Sequence, residues 1–501
     1  MSDSLTQPEA EAAASFDTVD VAIIGAGISG IDAARHLRER HPGLSFAIVE
    51  KQAEFGGTWR THRFPGIRSD SDLYTFGFAW KPWLGPAIAT REEILAYLGE
   101  AIEETGLAGR IRYGLELHAA RWSSAEARWL LEMRDAETGA PRRLACRFLW
   151  MCQGYYRHEQ GYTPGWEGME RFGGRIVHPQ TWPENLDLDG RRVVVIGSGA
   201  TAATLIPAIA GRAAHVTMLQ RSPTYFFPRP SVNELADRLR ALDVPDEWLH
   251  EIMRRNYLAE QKEVRRRAKE EPDALAADLI GAARAMLGPD YDIDTHFRPR
   301  YRPWRQRIAM VPDGDFFAAI RAGRASVETD EIERFTETGL ALASGRVLEA
   351  DVIVTATGLD LLPLGGVAFE VDGAALDVSE AVTYRGMMFS GAPNLAWVFG
   401  YLRSSWTLRA DLVSDYVCRL LSHMAATGTR AVTPTLLPEE REMPRLPFID
   451  PENFNAGYVM RALDRMPKQG DRAPWTMTQD FEIDRVELPA APLDDPRLVY
   501  S

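Results

Sequence analysis

Two short glycine-rich turns are the first residues in this chain whose types and spacing imply chemistry. The apolar run Val19 to Ile24 ends in Gly25-Ala26-Gly27-Ile28-Ser29-Gly30 and passes into the helix-like stretch Ile31 to His41. In a strand, turn and helix of this kind, Gly25 permits the tight turn and Gly27 lets a pyrophosphate approach the backbone. Gly30 lets helix and strand pack closely. The helix N-terminus adds free N–H groups and a partial positive charge. A second strand-like run, Ser45 to Val49, ends at Glu50, twenty residues beyond Gly30, where a carboxylate accepts hydrogen bonds from a ribose hydroxyl pair. A second copy follows: Val193 to Ile196 enters Gly197-Ser198-Gly199-Ala200-Thr201-Ala202, with alanine where only a small residue is needed. Its next strand, His215 to Leu219, leads to Gln220-Arg221-Ser222, with no carboxylate where Glu50 stands in the first unit. Arg221 suits a ribose phosphate, so the second site should prefer NADP to NAD.

Two nucleotide sites of different preference imply an electron path, from NADPH at the second to an acceptor cofactor at the first, most simply FAD. Gly56-Gly57-Thr58-Trp59 supports this, since its glycines allow backbone close to a ring system and Trp59 offers a flat stacking surface. Each glycine turn is paired with a later apolar strand ending in glycine, Phe148 to Gly154 and Asp351 to Gly358. This internal echo predicts an α/β fold with two Rossmann-like dinucleotide-binding domains, the second inserted into the first. The expected boundaries are a disordered tail over 1–17, an FAD domain over 18–160 and 359–501, and an NADP domain over 161–358. A helical insertion is expected at about 231–300.

Thr90 and Glu93 form a capping-box pattern before Ile94, Leu95, Leu98 and Ile102, with Gly106 as the stop. Ser231 and Glu234 repeat the pattern ahead of a long charge-rich helical segment reaching about Leu287. Its arginines, Arg254-Arg255 through Arg265-Arg266-Arg267, alternate with Glu251, Glu260, Glu263, Glu270 and Glu271, which reads as a solvated face. Five prolines between Pro434 and Pro451 predict an extended surface connection.

The chain has 501 residues, more than one core normally holds, and a formal net charge of -14, which argues against a nucleic-acid partner. Its three cysteines, Cys146, Cys152 and Cys418, form no disulfide framework and no metal-ligand spacing, so no metal site is expected and a cytoplasmic location is. Met1 to Asp17 lack the basic start and apolar stretch of a signal sequence, and no apolar run approaches the roughly 20 residues of a membrane span.

One further stretch gives the chain a family resemblance. Phe172-Gly173-Gly174-Arg175-Ile176-Val177-His178-Pro179-Gln180-Thr181-Trp182-Pro183 matches the fingerprint FxGxxxHxxxWP at each fixed position. The chain resembles the class B flavoprotein monooxygenases, and Trp182 places it with the Baeyer–Villiger branch rather than with enzymes carrying Tyr or Phe there. The likeness runs from about Val19 to Trp475 and is strongest to the ethionamide-activating subgroup. It is carried there by Phe64 to Asp72, Cys152 to Tyr156, Tyr401 to Leu412 and Gly457-Tyr458-Val459.

The resemblance implies an NADPH- and dioxygen-dependent enzyme that inserts one oxygen atom beside a ketone carbonyl through a flavin peroxide, yielding an ester or lactone from a small apolar ketone. It places Asp70 beside the flavin, and makes Arg307 the active-site arginine, with Arg302 and Arg305 as alternatives. Gln306 stands where the best-known ketone oxidisers carry lysine. Phe172, Gly174, His178, Trp182 and Pro183 take a hinge role between domains, and Ser405 and Trp406 line the substrate pocket. Heteroatom oxygenation of a sulfide or amine is the competing activity, and a non-catalytic dinucleotide sensor the competing class. A disulfide reductase would need two cysteines close in sequence at the flavin, which Cys146 and Cys152 are not.

Overall fold

The computed structural model describes residues 17–501. Residues 1–16 of the expected tail lie outside the described residues, and Asp17 already begins the first strand. Along the chain, β1 (Asp17–Ile24), α1 (Ile28–Arg40), β2 (Phe46–Val49), α2 (Arg91–Glu104), β3 (Ile111–Arg112), β4 (Leu115–Ser123), β5 (Arg128–Asp135) and β6 (Pro141–Met151) come first. There follow β7 (Arg175–Val177), β8 (Arg192–Ile196), α3 (Ala200–Ile209), β9 (His215–Gln220), α4 (Glu234–Ala241), α5 (Asp246–Glu270), α6 (Pro272–Leu287), β10 (Ala325–Thr329) and β11 (Val352–Thr355). The last part holds β12 (Ala368–Val371), β13 (Ala374–Leu376), β14 (Leu395–Trp397), α7 (Thr407–Thr427) and α8 (Phe481–Ala490).

Two sheets organise these elements. A nine-stranded mixed sheet runs β13-β12-β4-β5-β6-β1-β2-β3, with β14 also on β6, and draws on both ends of the chain. A five-stranded parallel sheet, β10-β9-β8-β11-β7, lies wholly within the intervening segment. The fold is therefore α/β with two Rossmann-like units, the second set between the two parts of the first. Each central strand is buried on both faces, as a parallel strand under helices must be. Val21 and Ile23 of β1 face one apolar cluster and Ala22 and Ile24 another, while Val193 and Val195 of β8 alternate in the same way with Val194 and Ile196.

Registers align the carboxyl ends of the strands. Ile24 sits opposite Val49 and Met151, so the first glycine turn, Glu50 and Cys152 emerge together. Ile196 sits opposite Leu219 and Thr355, which brings the second turn beside Gln220 and Ala356. This edge is where open α/β sheets bind ligands.

The Thr90–Glu93 capping box forms at the start of α2, and Gly106 follows its end with φ +60°. The expected cap at Ser231 does not form. Asn233 caps α4 instead, accepting from the N–H groups of Leu235 and Ala236, while Ser231 is drawn to Asp313. The expected long helical segment is built of three helices, α4, α5 and α6. Its charged run is not wholly solvated: Arg255 pairs with Glu251, but buried Arg254 donates to the Tyr74 carbonyl at 2.9 Å. Tyr257 stacks on Tyr74 at 5.6 Å, so α5 is fixed to the first unit. The proline-rich stretch 434–451 is largely irregular, although Phe448 and Ile449 are buried. Among the described residues no helix is long and apolar enough to cross a membrane.

Candidate functional site

Gly25 has φ +104°, and a Cβ there would lie 2.8 Å from the Cys152 carbonyl oxygen. A Cβ on Gly30 would lie 1.9 Å from the Gly25 carbonyl oxygen, so α1 can start this close to β1 only with glycine. Gly27 faces Gly57, whose Cβ would come within 3.2 Å of the Gly27 Cα, and the two leave a floor of bare backbone. Glu50 closes one end. Its buried carboxylate accepts from the Ala26 N–H at 2.7 Å and from the Gln52 N–H at 2.8 Å, which fixes it at the end of the turn as an acceptor for hydroxyl donors. Burial lifts its pKa above the ordinary carboxylate value, partly offset by N–H groups of Gln52 and Ala26. Trp59 is buried, edge-on to Phe76 at 5.9 Å. A pyrophosphate, a ribose and a flat ring system all fit this set of donors and surfaces.

The second turn follows the same rule. Gly197 has φ +119°, and a Cβ would meet the Ala356 carbonyl oxygen at 2.3 Å, whereas Gly199 faces open space. Arg221 is exposed and, among the described residues, has no hydrogen bond or ion pair, while Ser222 beside it is likewise exposed. Gln220 is turned inward, donating to the His296 carbonyl at 2.8 Å and to Thr329 at 2.9 Å. Arg221 is thus the free cation of this corner, suited to a phosphate.

A single cavity of about 1120 Å³ joins the two corners. Gly25, Gly27, Glu50, Gly57, Thr58, Trp59 and Asp70 line it from the first unit, and Gly197, Gly199, Thr201, Arg221 and Ser222 from the second. Gly30 stays behind the wall in its packing role. Between the corners stands Arg307, 237 residues from Asp70 in sequence and held by it through two contacts: Nε to Oδ2 at 2.6 Å and Nη2 to Oδ1 at 2.8 Å. Both side chains are about one-third exposed, at 32% and 29%. Burial works against the arginine's charge, but the Asp70 carboxylate outweighs it and holds the guanidinium above its ordinary pKa. Of the alternatives, Arg302 donates to the Glu452 carbonyl and Arg305 pairs with the Glu452 carboxylate, and neither lines the cavity.

Ser405 is not where the pocket expectation put it. It is buried against Thr75, the two hydroxyls 2.6 Å apart, and Ser404 takes the place in the cavity wall. Trp406 does line the cavity, stacked on Tyr155 at 5.0 Å and donating from Nε1 to Ser29 at 2.8 Å. Tyr155 and Tyr458, which belong to two of the stretches that carry the family resemblance, also reach the cavity, and burial pushes both phenols up.

Of the fingerprint residues, Phe172, Gly174 and Trp182 pack within the second unit, and His178 lies against the segment that connects the two units. Phe172 packs on Phe335, and Gly174 has no room for a Cβ, which would lie 2.4 Å from the Asp351 carbonyl oxygen. His178 Nδ1 accepts from the Gln180 N–H at 3.1 Å, its Nε2 is buried without a partner, and burial lowers its pKa. It faces a smaller cavity of about 380 Å³ with Gly161 and Tyr162. Trp182 packs half-buried on the second unit's core, followed by half-buried Pro183. The two connecting strands run side by side here: Arg157 N–H donates to Asp360 O at 2.8 Å and Tyr162 N–H to Gly358 O at 3.0 Å.

Residues 23–83 match the family of NAD(P)-binding Rossmann-like domains. The FAD-containing monooxygenase EthA of Mycobacterium tuberculosis is 45% identical over 488 residues, covering 96% of this chain and 98% of that one. Among solved structures, a steroid monooxygenase bound to NADP superposes with a TM-score of 0.68 at 24% identity, covering 84% of this chain and 88% of that one. OTEMO in complex with FAD and NADP superposes with a TM-score of 0.74 at 19% identity, covering 97% and 100%. These structural likenesses concern the fold.

Proposed function

Because the chain belongs to the family of FAD-containing monooxygenases, we propose that it binds FAD along the Gly25–Gly27 turn and NADPH along the Gly197–Gly199 turn. In this reading it inserts one oxygen atom of dioxygen beside a ketone carbonyl, giving an ester or lactone. The observation that carries the reading is the Arg307–Asp70 pair standing in the same cavity as both turns. Bound FAD would supply the redox chemistry, carrying two electrons from NADPH to dioxygen, one oxygen of which enters the product while the other leaves as water.

The chain's own residues do the rest. The backbone floor of Gly27 and Gly57 receives the FAD pyrophosphate, Glu50 accepts from its ribose hydroxyls, and Arg221 takes the NADPH ribose phosphate. Arg307, kept charged by Asp70, donates N–H groups to negative charge as it develops on the substrate carbonyl oxygen. The two-point contact with Asp70 fixes the guanidinium plane, so that stabilisation requires no reorganisation at the moment of reaction. Trp59, Tyr155 and Trp406 keep water from the reacting face. The joint beside His178 lets the units adjust while both cofactors remain bound.

Product analysis tests this. Purified protein with NADPH in air is given a simple ketone and, separately, a simple sulfide. Ester from the ketone is expected. Sulfoxide alone would make the protein a heteroatom oxygenase, and a colourless protein that consumes no NADPH would make it a nucleotide sensor.

A further inference from the structure

Arg265, Arg302 and Arg403 converge from three separate stretches of chain beside the cavity wall. Arg265, on α5, donates from Nη1 to Ser404 Oγ at 2.8 Å, and Ser404 belongs to that wall. Its Nη2 is buried with no acceptor. Arg302 gives Nη2 only to a main-chain carbonyl, that of Glu452, at 3.1 Å. Arg403 has no hydrogen bond or ion pair among the described residues, and both Arg302 and Arg265 are near enough to repel it. Its loop is pinned: Leu402 N–H donates to Gln479 Oε1 at 2.8 Å, and Gln479 Nε2 returns a bond to the Gly400 carbonyl at 3.0 Å.

Asp480, Glu482 and Asp450 lie near enough to attract Arg265 or Arg403, but among the described residues none makes an ion pair or hydrogen bond with either. Asp480 accepts from the Glu482 N–H as the cap of α8, Glu482 pairs with Arg485, Asp450 accepts from the Glu452 N–H, and Glu452 pairs with Arg305. Two other half-buried arginines do have a carboxylate: Arg68 has Asp315 and Arg307 has Asp70. Arg265 and Arg403 are partly desolvated and lack a direct anionic partner among the described residues, and the buried Nη2 of Arg265 is an unsatisfied donor that a bound anion would meet. Burial accordingly holds Arg265 and Arg403 below the ordinary guanidinium value.

We infer that the Arg265–Arg302–Arg403 cluster at Ser404 is a binding site for the carboxylate of the oxidisable substrate, which is therefore a keto acid rather than a neutral ketone. A planar fork of N–H donors matches a carboxylate, and its place beside Ser404 puts the acid end next to the Tyr155–Trp406 stack. The other anion that could come here is a nucleotide phosphate, but Arg221 already stands free beside the second glycine turn. The substrate class rests on the ketone-oxidation reading above, and the carboxylate site does not.

The test uses the FAD-loaded enzyme and two probes: an octanoate chain carrying a methyl ketone at its far end, and the methyl ester of that acid. The wild type should turn over the acid with the higher kcat/KM. Arg403→Gln and Arg265→Gln should each lower that value roughly 10- to 100-fold, as loss of a charged hydrogen bond does, and leave the ester and the KM for NADPH unchanged. Arg403→Lys should recover part of the loss. Equal effects on acid and ester, or a raised KM for NADPH, would overturn the inference. Octanoate itself supplies a readout independent of turnover: it should raise the melting temperature of the wild-type holoenzyme and not of Arg403→Gln. No shift in the wild type would refute the site even if ketones are oxidised. A shift lost in the variant, with no ketone turned over, would uphold the carboxylate site and reject the reaction.

Discussion

Replacing Arg221 with glutamine should convert a strong preference for NADPH into a weak one. Arg221 follows β9 directly, is exposed, lines the cavity beside Gly197 and Gly199, and has no partner among the described residues. Its neighbours offer no substitute charge, because Gln306 in the same wall is neutral and Gln220 is committed to His296 and Thr329. A hydrogen bond to a charged group contributes about 1.5–3 kcal/mol, and water around an exposed arginine reduces that to roughly 1–2 kcal/mol. At 1.4 kcal/mol per factor of ten, kcat/KM for NADPH should fall about 5- to 30-fold, with the value for NADH unchanged. Raising the salt should weaken NADPH in the wild type more than in the variant, since the lost contact is an exposed charge pair. Because Arg221 supports no internal bridge, the melting temperature should not move. Steady-state rates with each nucleotide, read at the absorbance of the reduced nicotinamide, decide the matter. Equal losses with NADPH and NADH would refute a phosphate contact, as would an unchanged NADPH value.

Other consequences can be checked directly. Gly30→Ala forces a Cβ to within 1.9 Å of the Gly25 carbonyl oxygen, so α1 must shift from β1, and the purified variant should lose the visible flavin band that the wild type shows. Asp484 accepts from Tyr401 at 2.6 Å and from Thr478 at 2.6 Å and pairs with Arg409, with side-chain exposures of 3% and 1% for the pair. Asp484→Asn leaves the Arg409 charge buried and should cost about 3–5 kcal/mol in denaturant unfolding. His250 is buried, accepts from the Trp83 N–H at 3.0 Å, and is pushed by burial and then by Arg254 to a pKa of about 4, below the ordinary 6.5. The unfolded chain binds that proton first as the pH falls, so the group lowers stability progressively from about pH 6.5 to about pH 4 and has no effect above. Melting curves of His250→Gln should therefore lose less stability than the wild type across that window, and identical slopes would exclude the assignment.

What could be read from sequence was what local geometry dictates. Gly25, Gly30 and Gly197 are required by backbone angle or by a carbonyl within contact of any Cβ, and the capping box at Thr90 is completed within one turn. Arg221 was legible because it follows its strand immediately. Side-chain choice between neighbours was not. Ser231 and Asn233 both suit a helix cap, and the nearby Asp313 carboxylate settles which one is free to serve. Ser404 rather than Ser405 faces the cavity because Gln479 pins the loop and Thr75 takes the next hydroxyl, contacts made 77 and 330 residues away in sequence. The arginine cluster was hidden for the same reason: in sequence Arg265 belongs to a solvated charged run, and only the packing of α5 on the first unit turns it inward.

The central claim is that Arg307, held by Asp70 between the two turns, makes the oxygen transfer productive. The most direct measurement is the amount of ester formed per NADPH consumed, with a ketone substrate, in the wild type and in Arg307→Ala. The wild type should couple most of its NADPH to ester, and the variant, with both glycine turns intact, should still consume NADPH while forming essentially none. Equal ester yields from the two proteins would contradict the account.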